Sequence, residues 1–164
     1  MRRTRLIQLG SAAVLLVVLV GCGSGGETTT TLPKADFLAQ GDAICKRAHD
    51  QFAEAKQHPP TTAEGFATLT QKLIEISESE LSEIRDLNAP STVQPALDRY
   101  LKAREQGIAL LKKGLEAAQN DNARAYARAQ SKVANGQVRR LKLAQAVGFK
   151  ECSSVSPASK STAG

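Results

Sequence analysis

The chain has no tryptophan, one methionine, two tyrosines and four phenylalanines in 164 residues. So few rings, beside abundant Ala, Leu, Gln, Lys and Glu, disfavour a sheet and favour helices. Histidine is almost as scarce: His49 and His58 are the only two, and neither follows a glutamate by three residues. That excludes the paired Glu-x-x-His ligands of a di-iron bundle. H-E-x-x-H, G-x-S-x-G and glycine-rich phosphate loops are also missing, so the motifs support no enzyme class, cofactor or metal. A long apolar run is lacking as well. The stretch from Leu6 to Val20 is broken by Gln8, Gly10 and Ser11, and a membrane helix needs roughly 20 apolar residues.

That stretch has a different use. Arg2, Arg3 and Arg5 precede it, and Leu19-Val20-Gly21-Cys22 follows. A basic start, an apolar core and a small residue before a cut compose an export signal. Thr4-Arg5-Leu6 fits twin-arginine export poorly, so ordinary secretion is expected; a retained signal acting as an anchor is the alternative that length disfavours. The cysteine at the cut resembles the lipobox of bacterial lipoproteins. The resemblance implies removal of residues 1–21 and a thioether-linked diacylglycerol on Cys22. It places the protein on the extracytoplasmic face of the cell membrane. The 22 basic and 16 acidic side chains give a net charge of +6, and the leader holds three of those arginines and no acid. Its loss leaves +3, and nucleic acid is no expected partner outside the cytoplasm.

Residues 22–33, GSGGETTTTLP after the cysteine, lack periodicity and read as a flexible tether of roughly 18 Å. Residues 153–164 are rich in Ser, Ala and Lys and read as a disordered tail. Between them, residues 34–152 are one domain's worth of chain.

Apolar residues recur there three and four apart in four stretches. The first runs from Phe37 to Phe52 and stops before His58-Pro59-Pro60. The second runs from Phe66 to Leu87, with Thr61 and Glu64 as a capping box and Asn88-Ala89-Pro90 as the stop. The third runs from Leu97 to Ala118, with Pro95 in its first turn. Asn120-Asp121-Asn122 breaks it, asparagine suiting a helix end and aspartate a cap. The fourth runs unbroken from Tyr126 to Ala144 and stops at Gly148-Phe149. Short connections between long helices predict an all-α, up-down-up-down antiparallel four-helix bundle.

With Cys22 lipidated, Cys45 in the first helix and Cys152 beyond the fourth remain. Two thiols in an exported domain oxidise, and antiparallel geometry brings the end of the last helix beside the first. A disulfide between Cys45 and Cys152 is expected. The alternative, a metal or redox role for Cys45 with His49 one turn on, lacks a second ligand pair.

Three polar residues interrupt the apolar stripes: Glu80, Arg104 and Gln137. The turns bring them to one height, which predicts a polar layer in which Glu80 neutralises Arg104. Such a layer fixes registry or floors a small-ligand pocket. Arg124, Arg128, Lys132, Arg139 and Lys142 form a basic stripe on the fourth helix, read as a solvated face or as an attraction to anionic lipid or wall polymer.

KADFLAQGDAICKRAH (Lys34 to His49) and VGFKEC (Val147 to Cys152) together resemble a group of small actinobacterial lipoproteins. In that group a lipobox and polar tether precede a helical domain with one cysteine near each end. The resemblance implies the same Cys45–Cys152 disulfide and a Gram-positive-type envelope, and brings no activity. The functional expectation is a lipid-anchored, non-enzymatic interaction or scaffold protein of the cell envelope. It would bind the membrane through its anchor and an envelope protein or anionic polymer through its helices. The alternative is a small-ligand-binding helical bundle.

Overall fold

The computed structural model describes residues 31–155. The expected signal peptide, Cys22 and most of the expected tether and tail lie outside the described residues.

Five helices follow one another: α1 (Lys34–Ala55), α2 (Ala63–Asp86), α3 (Gln94–Gln119), α4 (Ala123–Asn135) and α5 (Gln137–Val147). There is no strand among the described residues. α2 packs on α1 and α3, and α3 packs on α4 and α5, so the five segments form a four-helix bundle with α4 and α5 sharing its last position.

Local chemistry explains the ends. Thr62, not Thr61, caps α2: its hydroxyl accepts from the Gly65 amide at 3.1 Å. Thr62 is extended, with ψ 156°, which aims its Oγ1 back at the first turn. The tripeptide after α3 also divides its labour differently from expectation. Asp121 takes the left-handed turn at φ 51°, while the Asn122 side chain caps α4 by accepting from the Ala125 amide at 3.0 Å. Gly148 closes α5 at φ 108°, and the Phe149 amide donates to the Ala144 carbonyl.

The fourth helix is not continuous. Gly136, at φ −77° and ψ −12°, separates α4 from α5, although its amide still donates to the Lys132 carbonyl and its carbonyl accepts from the Arg140 amide. Glycine is a poor helix-interior residue, and here a side chain exploits the break. Arg140 Nη2 donates to the Val133 carbonyl at 2.9 Å. A Cβ on residue 136 would lie 2.6 Å from Arg140 Nη1.

The core has two parts. At the end holding the chain's exit from the bundle, Phe37, Ile44, Ile84, Leu97, Tyr100, Val147 and Phe149 are buried together. Phe149 stacks on Phe37 at 5.5 Å and meets Tyr100 edge-on at 5.9 Å. Toward the other end lies a smaller cluster of Ile74, Leu81, Ile108 and Leu111. Cys45 and Cys152 form a disulfide with their Cα atoms 5.1 Å apart. Asp42 Oδ1 fastens the same segment by accepting from the Lys150 and Glu151 amides at 2.8 and 2.9 Å.

Candidate functional site

α1 packs on α2 at one side of the bundle, and α4 and α5 pack on α3 at the other. Between α1 and the α4–α5 pair lies a cavity of about 300 Å³, partly open to solvent. Ligand pockets start near this size, at about 300 Å³. His49 and Phe52 of α1 and Lys56 just beyond it line one side, and Val133, Ala134, Gln137 and Arg140 the opposite side.

Its floor is polar. Glu80 of α2 is 5 % exposed and forms an ion pair with Arg104 of α3. The two residues expected to pair therefore do so. The Tyr100 hydroxyl points at Glu80 Oε1 from 3.5 Å. Cys45 Sγ lies at the same distance from that oxygen, but a disulfide sulfur has no proton to give. Arg104 Nε is buried and has no hydrogen-bond partner among the described residues.

Gln137 is not part of this layer. It is exposed, at the cavity's edge, and the half-buried Arg140 takes the place expected for it. The turn at Gly136, where ψ is −12°, departs from helical geometry just before Gln137, and on the segment that follows Arg140 rather than Gln137 is half-buried.

Burial shifts the charges of the floor. It lifts the Glu80 carboxyl above the ordinary glutamate range, with the Arg104 guanidinium and Tyr100 hydroxyl pulling it back. Burial also pushes the Tyr100 phenol up, against Arg104. It works against charge on Arg104, but Glu80 and Tyr100 outweigh it and hold that guanidinium above its usual value. Arg140 has no such compensation. Burial, then the neighbouring Arg104, lower its pKa against Tyr100 alone. Burial likewise holds His49 below the ordinary imidazole value, opposed by Glu151, with Arg104 and Asp50 adding smaller, opposite effects.

The walls above the floor are apolar: Leu73 from α2, Ile108 and Leu111 from α3, and Val133 from α4. Glu80 and Arg104, which the sequence offered as the floor of a small-ligand pocket, both line this cavity, and Gly107, buried on α3 against the Arg140 side chain, is a further signal.

The remaining expected sites lie elsewhere. Cys45 is committed to the disulfide and so is no metal ligand for His49. Arg124, Arg128, Lys132, Arg139 and Lys142 are all exposed. The bend divides them, three on α4 and two on α5, and none makes an ion pair among the described residues. Cys22 lies outside the described residues. No protein-family model, curated protein or solved structure matches the chain.

Proposed function

We propose that the protein is a lipid-anchored component of the bacterial cell envelope, on the outer face of the cytoplasmic membrane, whose bundle binds a small ligand without turning it over. The observation that carries the ligand-binding reading is the cavity of about 300 Å³ with a charged floor and apolar walls. A few convergent polar groups in an apolar concavity are the common form of a small-molecule site. The address rests on the basic, apolar and Leu19–Cys22 segments of the sequence.

Two experiments test the two halves. Native mass spectrometry of protein taken from membranes should find a non-covalent small molecule, absent from an Ala134→Trp variant that fills the cavity mouth. An empty wild-type protein that also binds no small molecule in titration removes the ligand reading. Growth with an alkyne fatty acid should label the wild type and leave Cys22→Ser unlabelled; an unlabelled wild type removes the address.

A scaffold role, binding an envelope protein or anionic polymer, is the second reading. The five exposed cations of α4 and α5 favour it. It ranks second because Val138 and Val155 are the only exposed large apolar side chains among the described residues. Two valines fall well short of the several hundred Å² that marks a protein-docking patch.

A further inference from the structure

We infer that the cavity takes an anion-headed amphiphile, its head held by the Arg140 guanidinium beside Arg104 and its apolar part lying along Ile108, Leu111 and Val133. The inference rests on the ligand-binding reading above and names the chemistry of that ligand.

The first observation is a charge imbalance. Arg104, Arg140 and, at the exposed rim, Lys56 line the cavity with a single carboxylate, Glu80. Arg104 already occupies Glu80. Arg140 has no ion-pair partner among the described residues, and its one hydrogen bond there goes to the Val133 carbonyl. A guanidinium carries five N–H donors, so most of its donors remain for a ligand. A half-buried cation without a counter-ion is unfavourable, and an oxyanion in the cavity supplies that counter-ion.

The second observation is that the chain makes room for this guanidinium. Gly107 on α3 and Gly136 at the α4–α5 bend flank it, with their Cβ positions 3.6 and 2.6 Å from Nη1. A side chain at 136 would push the guanidinium away. An arginine meant only for solvent needs no gap in its own helix.

The third is the ordering of chemistry along the cavity. Arg104 and Leu111 are seven residues apart on α3, about 10 Å along its axis. Leu73 and Val133 pack with Leu111 at that distance from Arg104, while Ser77, Gln130 and Lys56 also line the cavity. A ligand matching both ends has one oxyanion and an apolar chain of about that length. Guanidinium geometry suits carboxylate and phosphate alike.

The test is titration of the purified full chain with octanoate, octyl phosphate, octanol and octylamine. Octanoate or octyl phosphate should bind about tenfold or more tighter than octanol, the effect expected of a charge-assisted hydrogen-bonded pair. Which of the two binds tighter identifies the head as carboxylate or phosphate. Arg140→Gln should abolish the preference while leaving octanol affinity unchanged, and Arg140→Lys should keep part of it. Arg139→Gln, in the exposed stripe, should keep all of it. Equal binding of octanol and octanoate, a preference for octylamine, or an Arg140→Gln variant with the wild-type preference overturns the inference and leaves the cavity as a ligand site. An Arg140→Gln loss that is equal for octanol and octanoate overturns it too, as a structural role. Failure of all four probes to bind the wild type overturns the ligand-binding reading with it.

Discussion

Gly41→Ala should destabilise the protein, although helix propensity says the opposite. In a helix interior alanine is better than glycine by about 0.8–1.0 kcal/mol. At residue 41, however, a Cβ would lie 2.3 Å from Phe149 Cε1 and 2.8 Å from Cζ. The ring cannot swing aside: it is 2 % exposed and wedged between Phe37 and Tyr100. Its backbone is held as well, by the Gly148 turn before it and the Asp42 bonds after it. Overpacking a tight core costs about 1–3 kcal/mol, and so immobile a neighbour puts the cost near the top. The balance is a loss of about 1–2 kcal/mol, or about 4–8 °C in the unfolding midpoint for a domain of this size. Gly107→Ala is the internal control. Its Cβ would meet only the Arg140 side chain, at an ordinary 3.6–3.8 Å, so it should gain about 0.5–1 kcal/mol from propensity. Thermal unfolding followed by far-UV circular dichroism reads both. In a Phe149→Ala background, Gly41→Ala should reverse sign and stabilise. Gly41→Ala at or above wild-type stability, with Gly107→Ala gaining as expected, refutes the reasoning.

Three further outcomes follow from the same structure. Replacing both Cys45 and Cys152 by alanine releases a link between residues 107 apart; the chain-entropy model puts the loss near 4.7 kcal/mol, and urea unfolding that shows equal stability removes the cross-link's role. Thr62→Ala should cost about 1 kcal/mol, since it strips the α2 cap, whereas Thr61→Ala should cost nothing measurable in the same unfolding assay. Glu80, with its folded pKa raised by burial, binds its proton more tightly in the fold than in the unfolded chain. Its contribution is therefore fully present below the unfolded value and lost as pH rises through the folded one. The stability of the wild type relative to Glu80→Gln should accordingly rise as pH falls from neutral toward 4.5, the ordinary glutamate value, and a pH-independent difference between the two melting curves contradicts that burial.

The parts legible in sequence are those that local chemistry decides. Prolines and asparagines fall at the helix ends, the three-and-four spacing sets the faces, and these place Glu80 beside Arg104 and Cys45 beside Cys152. On α2, Thr70, Ile74 and Ser77 are buried, and two of them are polar. Burial of hydroxyls became readable only with their partners: Ser77 donates to the Leu73 carbonyl, and Thr70 lies 3.4 Å from the Tyr126 hydroxyl. A choice between adjacent threonines as cap was likewise settled by backbone geometry, which the two residues do not reveal by type.

Gly136 hid the most. A wheel drawn through the whole fourth helix carries a fixed phase and puts Gln137 inside. An isolated glycine weakens a helix without necessarily breaking it, and nothing local to GQVRR separates the two outcomes. What decides is a tertiary pairing: Arg140 reaches the Val133 carbonyl only if residue 136 has no side chain, in a place where it also lies against Gly107 of a different helix. Those two glycines are 29 positions apart in the chain and are joined only through the guanidinium between them. The polar layer allows a pocket or a registry device, and the choice between them is not legible for a related reason. Sequence periodicity reports which faces turn inward, whereas an opening between α1 and α4–α5 depends on how far apart the inward faces stop. Here the disulfide and Phe149 draw those helices together at one end. Toward the other, Phe52 and Val133 line an opening from its two sides. The staple and the cavity are thus parts of one arrangement, in which the last helix is fastened at its end and divided at Gly136 beside the space it leaves.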